Sequence, residues 1–78
     1  MNRAFGVRVT VKDGAGPHVV PLVVVALDER DAEAIACAAA PHCVDAETLR
    51  ALTETEAHHY GLDLSRHGDM KALPELHL

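Results

Sequence analysis

Cys37, His42, Cys43, Glu56, His58 and His59 are the candidate metal ligands of this sequence, side chains whose types can hold a metal ion. Thiolate and imidazole suit a borderline-soft ion such as Zn²⁺. A metal-binding or metal-responsive protein using subsets of these residues, with zinc as its cofactor, is therefore one reading of the chain. Glu56 and His59 have the i, i+3 spacing found in carboxylate metal bundles, where several helices each contribute ligands. This chain has one such pair, so a symmetric dimer would be needed to bring two copies together. The HExxH pattern of zinc proteases is absent.

Covalent chemistry has thinner support. Cysteine could serve as a nucleophile and histidine as a base, but no triad is assembled in the sequence, and Cys37 has neither a visible base nor a sign of a depressed pKa. The glycines of DGAGP, from Asp13 to Pro17, lack the GxxxxGK[ST] pattern, and no helix starts directly after them. They read as a turn, not as a phosphate loop. A small enzyme is thus the third reading, behind an interaction module and a metal protein.

The elements that must position these residues begin with a strand. In FGVRVTVK, Phe5, Val7, Val9 and Val11 fall on one face, and Gly6, Arg8, Thr10 and Lys12 on the other. Asp13-Gly14 and Gly16-Pro17 then punctuate the chain and predict a hairpin. The second strand, HVVPLVVVAL, ends in a run from Leu22 to Leu27 that offers apolar side chains to both faces. Pro21 removes one donor and points to an edge or bulge. Two-sided hydrophobicity needs two covers: a homodimer interface using Leu22, Val23, Val24, Val25, Leu27 and Glu56 supplies one, and coverage by the C-terminal residues is the alternative.

DERDAEAIACAAAP changes the period to that of a helix, capped by Asp28 and stopped by Pro41. Ala32, Ile35, Ala36 and Ala39 form its apolar stripe, and Cys37 projects nearer the polar side. A second helix is expected from Asp45 to Tyr60 with Gly61 as its C-cap. Leu49, Leu52, Thr53, Ala57 and Tyr60 make its inward side, Glu56 points into that stripe, and His59 borders it. Glu54 and His58 face solvent. A carboxylate drawn out of water needs a partner, a proton or a metal, so Glu56 is expected to be salt-bridged or interfacial, ahead of a metal ligand or a misphased helix. Beyond Gly61, short extended pieces around Leu62 and Leu64, or Leu76 and Leu78, could join the sheet.

Composition limits the functions open to these elements. A 78-residue chain buries only about 60% of its unfolded surface, so a partner subunit is an economical source of further stability. Seven Lys and Arg against twelve Asp and Glu, a formal charge of -5, argue against a nucleic-acid surface or attraction to an anionic membrane. The apolar run is far short of the roughly 20 residues that span a bilayer. No secretory signal is read at the start, and two cysteines do not make the dense framework of a small secreted protein, so a cytoplasmic location is expected. Whether they pair is open, because spacing does not show that their Cβ atoms meet. The expected fold is a single small α+β domain over residues 1–78: an N-terminal antiparallel β-hairpin packed against two helices, with a short additional strand near the C-terminus. The expected function is a self-associating protein-interaction module.

Overall fold

The hairpin forms where alternation and turn residues predict it. In the computed structural model, which describes residues 1–73, strand β1 (Arg3–Asp13) pairs antiparallel with β2 (Gly16–Ala26) in unbroken register from Arg3 opposite Ala26 to Asp13 opposite Gly16. The Asp13 carboxylate accepts the Ala15 N–H at 2.8 Å, and Gly16 takes a φ of 104° that a side chain would resist.

After β2 the chain turns into helix α1 (Glu29–Ala39). Asp28 is its cap, accepting the Asp31 N–H at 2.8 Å, and Glu29 and Asp31 sit in the positively polarised first turn. Strand β3 (Cys43–Ala51) then returns beside β1, and a one-and-a-half-turn helix α2 (Glu54–His59) leads through a loop to strand β4 (Met70–Ala72). The result is an α+β fold with one four-stranded antiparallel sheet in the order β3-β1-β2-β4. The short C-terminal strand forms at Met70 and not around Leu62 or Leu64; Leu76 and Leu78 lie outside the described residues.

The expected helix from Asp45 to Tyr60 is corrected to a strand, a cap and a short helix. Residues 45–51 pair with the free side of β1, whose backbone N–H and C=O groups a helix there would have left without partners. A bare two-stranded hairpin is marginal in water, and β3 makes it a sheet. Thr53 does not face inward as expected. Its hydroxyl accepts the Glu56 N–H while the Glu56 carboxylate accepts the Thr53 N–H, a capping box that starts the helix eight residues later than Asp45 would.

The two-sided strand is covered within one chain. On one face Phe5, Val7, Val9, Leu22, Val24 and Ala26 pack against Ala32 and Ala36 of α1, with Ile35 at the margin. On the other, Ala4, Val23 and Val25 pack against Ala57 of α2 and Leu62, flanked by Leu52, Tyr60, Leu64 and Leu73. Leu22, Val23, Val24 and Val25 are therefore buried before any second copy arrives, and their expected role as interface side chains is corrected to a core role. Leu27, at 55% exposure, is the one residue of that run left in solvent.

Valine truncation tests this coverage. Val24→Ala removes two methyl groups from a closed site and is expected to lower the unfolding free energy by about 2 kcal/mol in urea denaturation, without changing the mass in solution. A small loss of stability coupled to dissociation would instead restore the run to an interface.

Candidate functional site

Glu56 sits beside a cation. The Arg50 side chain, at the end of β3, meets it with both terminal nitrogens, Nη1 donating to Oε1 at 3.0 Å and Nη2 to Oε2. That paired hydrogen bonding, reinforced by the Thr53 N–H, holds the Glu56 carboxyl down to about 2 from an ordinary 4.5. The salt-bridged expectation for Glu56 thus holds, but its inward orientation does not: the carboxylate is partly exposed and clamps the turn between β3 and α2.

The other expected ligands are dispersed or already committed. Cys37 in the last turn of α1 and Cys43 at the start of β3 form a disulfide with their Cα atoms 5.4 Å apart, so neither offers a thiolate. His42 stands between them and β1 with a left-handed φ of 60°. His58 and His59 are exposed on α2, and His59 meets the Tyr60 ring edge-on at 5.7 Å. Among the described residues, no three His, Cys, Asp or Glu side chains stand close enough to share an ion. The i, i+3 spacing of Glu56 and His59 lost its meaning once Arg50 took the carboxylate.

A concavity of about 650 Å³ is a shallow groove along α2 lined by Glu54, Thr55, His58, Leu62, Asp63 and Leu64. Its walls mix the polar Glu54, Thr55, His58 and Asp63 with the apolar Leu62 and Leu64, and it is open to water. A smaller cleft of about 260 Å³ has the more specific chemistry. Val11 and Val20 from the hairpin, Leu22 and Met70 from the sheet, and Ala39, Ala40 and Pro41 from the end of α1 line it, all apolar side chains. It exists because α1 stops at Ala39, before Val11 and Val20 on the same face of the sheet are covered. The Phe5 to Val11 face and the Pro41 stop are legible in the sequence, whereas how far the helix overlaps that face is set by the packing.

The strand edges offer less. Skipped residues Val44 and Leu49 make two irregularities in the β1–β3 register, and the Thr48 N–H donates to Glu33 Oε2 of α1 at 2.9 Å. On the opposite side, Pro21 accepts the Leu73 N–H through its carbonyl, and strand alternation turns Pro17 and Val19 toward the same edge. Two of those three positions lack an N–H. Bulges and prolines of this kind disfavour the addition of a further strand.

No protein-family model, curated protein or solved structure matches the chain. Among the described residues no helix is long and apolar enough to cross a membrane.

The Arg50–Glu56 clamp predicts an acid response. A carboxyl depressed in the folded state contributes stability in full above its unfolded value near 4.5, and that contribution is lost as pH falls through the folded value of about 2. The urea midpoint of the wild type is expected to fall across this window, and Glu56→Gln to fall less steeply, since it has no proton to take up there. Superimposable pH profiles would show that the pair does not couple to folding.

Proposed function

We propose that this protein is a small self-associating interaction module, a homodimer formed through the cleft at the end of α1. The observation that carries the reading is an apolar cleft left open beside an exposed apolar side chain. Val44 is 62% exposed and follows Cys43, which packs onto the same core cluster as Ala40. Cys43 is also the strand partner of the cleft residue Val11. Knob and hollow are thus close in the fold, and a two-fold axis would let each copy give its Val44 to the other's cleft.

The size of the surface argues for a weak dimer. A stable interface removes on the order of 800 Å² from each partner, about a sixth of the 4799 Å² this chain exposes. The cleft alone is smaller, so the contact spreads over the segment from Ala38 to His42 and the neighbouring hairpin. Like charge also opposes it, since each copy carries a formal -5. Added salt should therefore tighten association by screening that repulsion. The blunted sheet edges favour this face over strand pairing.

Sedimentation over micromolar to near-millimolar concentrations tests the reading. The wild type is expected to show a concentration-dependent dimer that strengthens from 50 to 300 mM salt. Val44→Asp, at an exposed position, should be monomeric throughout, with the wild-type unfolding midpoint at dilutions where the wild type is also monomeric. A monomer throughout, or a Val44→Asp dimer as tight as the wild type, would overturn the proposal.

A further inference from the structure

We infer that the Cys37–Cys43 disulfide is a redox-sensitive clasp that sets the shape of the cleft, so that reduction of the bond weakens self-association; this rests on the dimer reading above. Ala39, Ala40 and Pro41, which supply one wall of the cleft, all lie inside the loop that the bond closes. Apart from the bond, the wall is secured by the packing of Ala40 on the core and by few hydrogen bonds. The C-cap of α1 is Ala40 in an extended conformation, its N–H reaching the Cys37 carbonyl at a long 3.3 Å, and the last turn has neither a basic side chain nor a glycine cap. His42 is held with a positive φ, and its carbonyl accepts the Lys12 N–H at 3.0 Å, which ties the loop to β1. The disulfide adds a covalent cross-link between the helix end and the start of β3, beyond the backbone of Ala40 to His42.

Both cysteines are half-buried, which leaves the bond open to a small thiol. An external thiolate attacks one sulfur and forms a mixed disulfide with it, and the electron pair of the broken S–S bond leaves on the other sulfur, which takes a proton from water. A second external thiol completes the exchange. Two external thiols are oxidised to one disulfide, and Cys37 and Cys43 become two thiols. The reductant is a small monothiol or a dithiol protein, the class that keeps cysteines reduced in a cytoplasm. With the link gone, His42 can leave its left-handed conformation, the Lys12 hydrogen bond opens, and the Ala39 to Pro41 wall moves away from Val11 and Val20. The same chain then presents a formed cleft under oxidising conditions and a loosened one under reducing conditions.

Two readouts on the full chain separate this inference from the dimer on which it rests. The first is amide hydrogen exchange at Lys12, with Val25 as an internal reference because its N–H donates to Asp69 on the far side of the strand, 2.8 Å away. The second is the dimer dissociation constant. Both are measured for oxidised protein, for protein reduced with dithiothreitol, and for Cys37→Ser combined with Cys43→Ser. Reduction is expected to speed Lys12 exchange at least tenfold with Val25 unchanged, and to raise the dissociation constant at least tenfold; the double variant should match the reduced protein. An equally tight dimer in both redox states overturns the inference and leaves the dimer standing. A monomer in both states overturns the dimer, and Lys12 then decides the clasp: unchanged exchange refutes it and accelerated exchange supports it. Equal acceleration at Lys12 and Val25 would mean global loosening, and also refutes it.

Discussion

Everything in this molecule is arranged around a strand that is apolar on both sides. Leu22 and Val24 face one way, Val23 and Val25 the other, and all four are removed from water. A fully buried valine contributes on the order of 1.5 kcal/mol or more relative to an exposed one, so each face demands a cover. A chain of 78 residues has few elements to spend. It places α1 on one face, and α2 with the segment around Leu62 on the other. Small residues make this feasible: Ala32, Ala36 and Ala57 let the helices approach a valine surface closely, where larger side chains would hold them off.

Dividing so little chain between two faces leaves each cover incomplete. Helix α1 must begin beside the end of β2 and finish in time for β3 to return along β1, so it is too short to reach the hairpin end of its own face. The cleft at Val11 and Val20 follows from that limit. On the other face, a helix of six residues is too short to be stable on propensity alone. It depends on its capping box and on Arg50, whose bond to Glu56 fastens the helix start to the end of β3. The loop after it is secured in a similar way: Gly68 donates to the Val25 carbonyl and His67 lies 2.6 Å from Asp31 at the start of α1. Asp31 accepts the Leu27 N–H as well, which with the His67 contact draws its carboxyl below the usual range. Side-chain clamps thus stand in for the length that the covering elements lack.

The parts of this arrangement legible in the sequence are those governed by local rules. Period-two alternation identified β1, paired turn residues identified the hairpin, and Asp28 with Pro41 bounded α1 to within a residue or two. Residues 45–52 misled because local and tertiary signals conflict there. Asp45, Ala46, Glu47, Leu49 and Arg50 tolerate a helix, and the strand alternation is broken by the two skipped residues, Val44 and Leu49, that make the register irregular. What decides the segment is the unpaired side of β1, a demand that no window of neighbouring residues contains. The capping signature from Thr53 to Glu56 was present in the sequence and marked the true helix start. Glu56 was expected to need a partner, but Arg50 could not be identified as that partner while both were assigned to the same helix, six residues apart and on poorly matched faces.

The disulfide follows a similar logic of short reach. Joining α1 to β3 by the three residues Ala40, Pro41 and His42 forces a sharp reversal immediately after a helix that has no glycine to end it. His42 takes the left-handed conformation that glycine would normally supply, one for which histidine is among the more tolerant of the other residue types. The Cys37 and Cys43 Cα atoms end up 5.4 Å apart as a consequence of that reversal, inside the range a disulfide accepts. Closing so short a loop removes less entropy from the unfolded chain than a long-range bond would. Its larger consequence is therefore local: it fixes where the helix ends relative to the sheet, and so how much of the Val11 and Val20 face stays open.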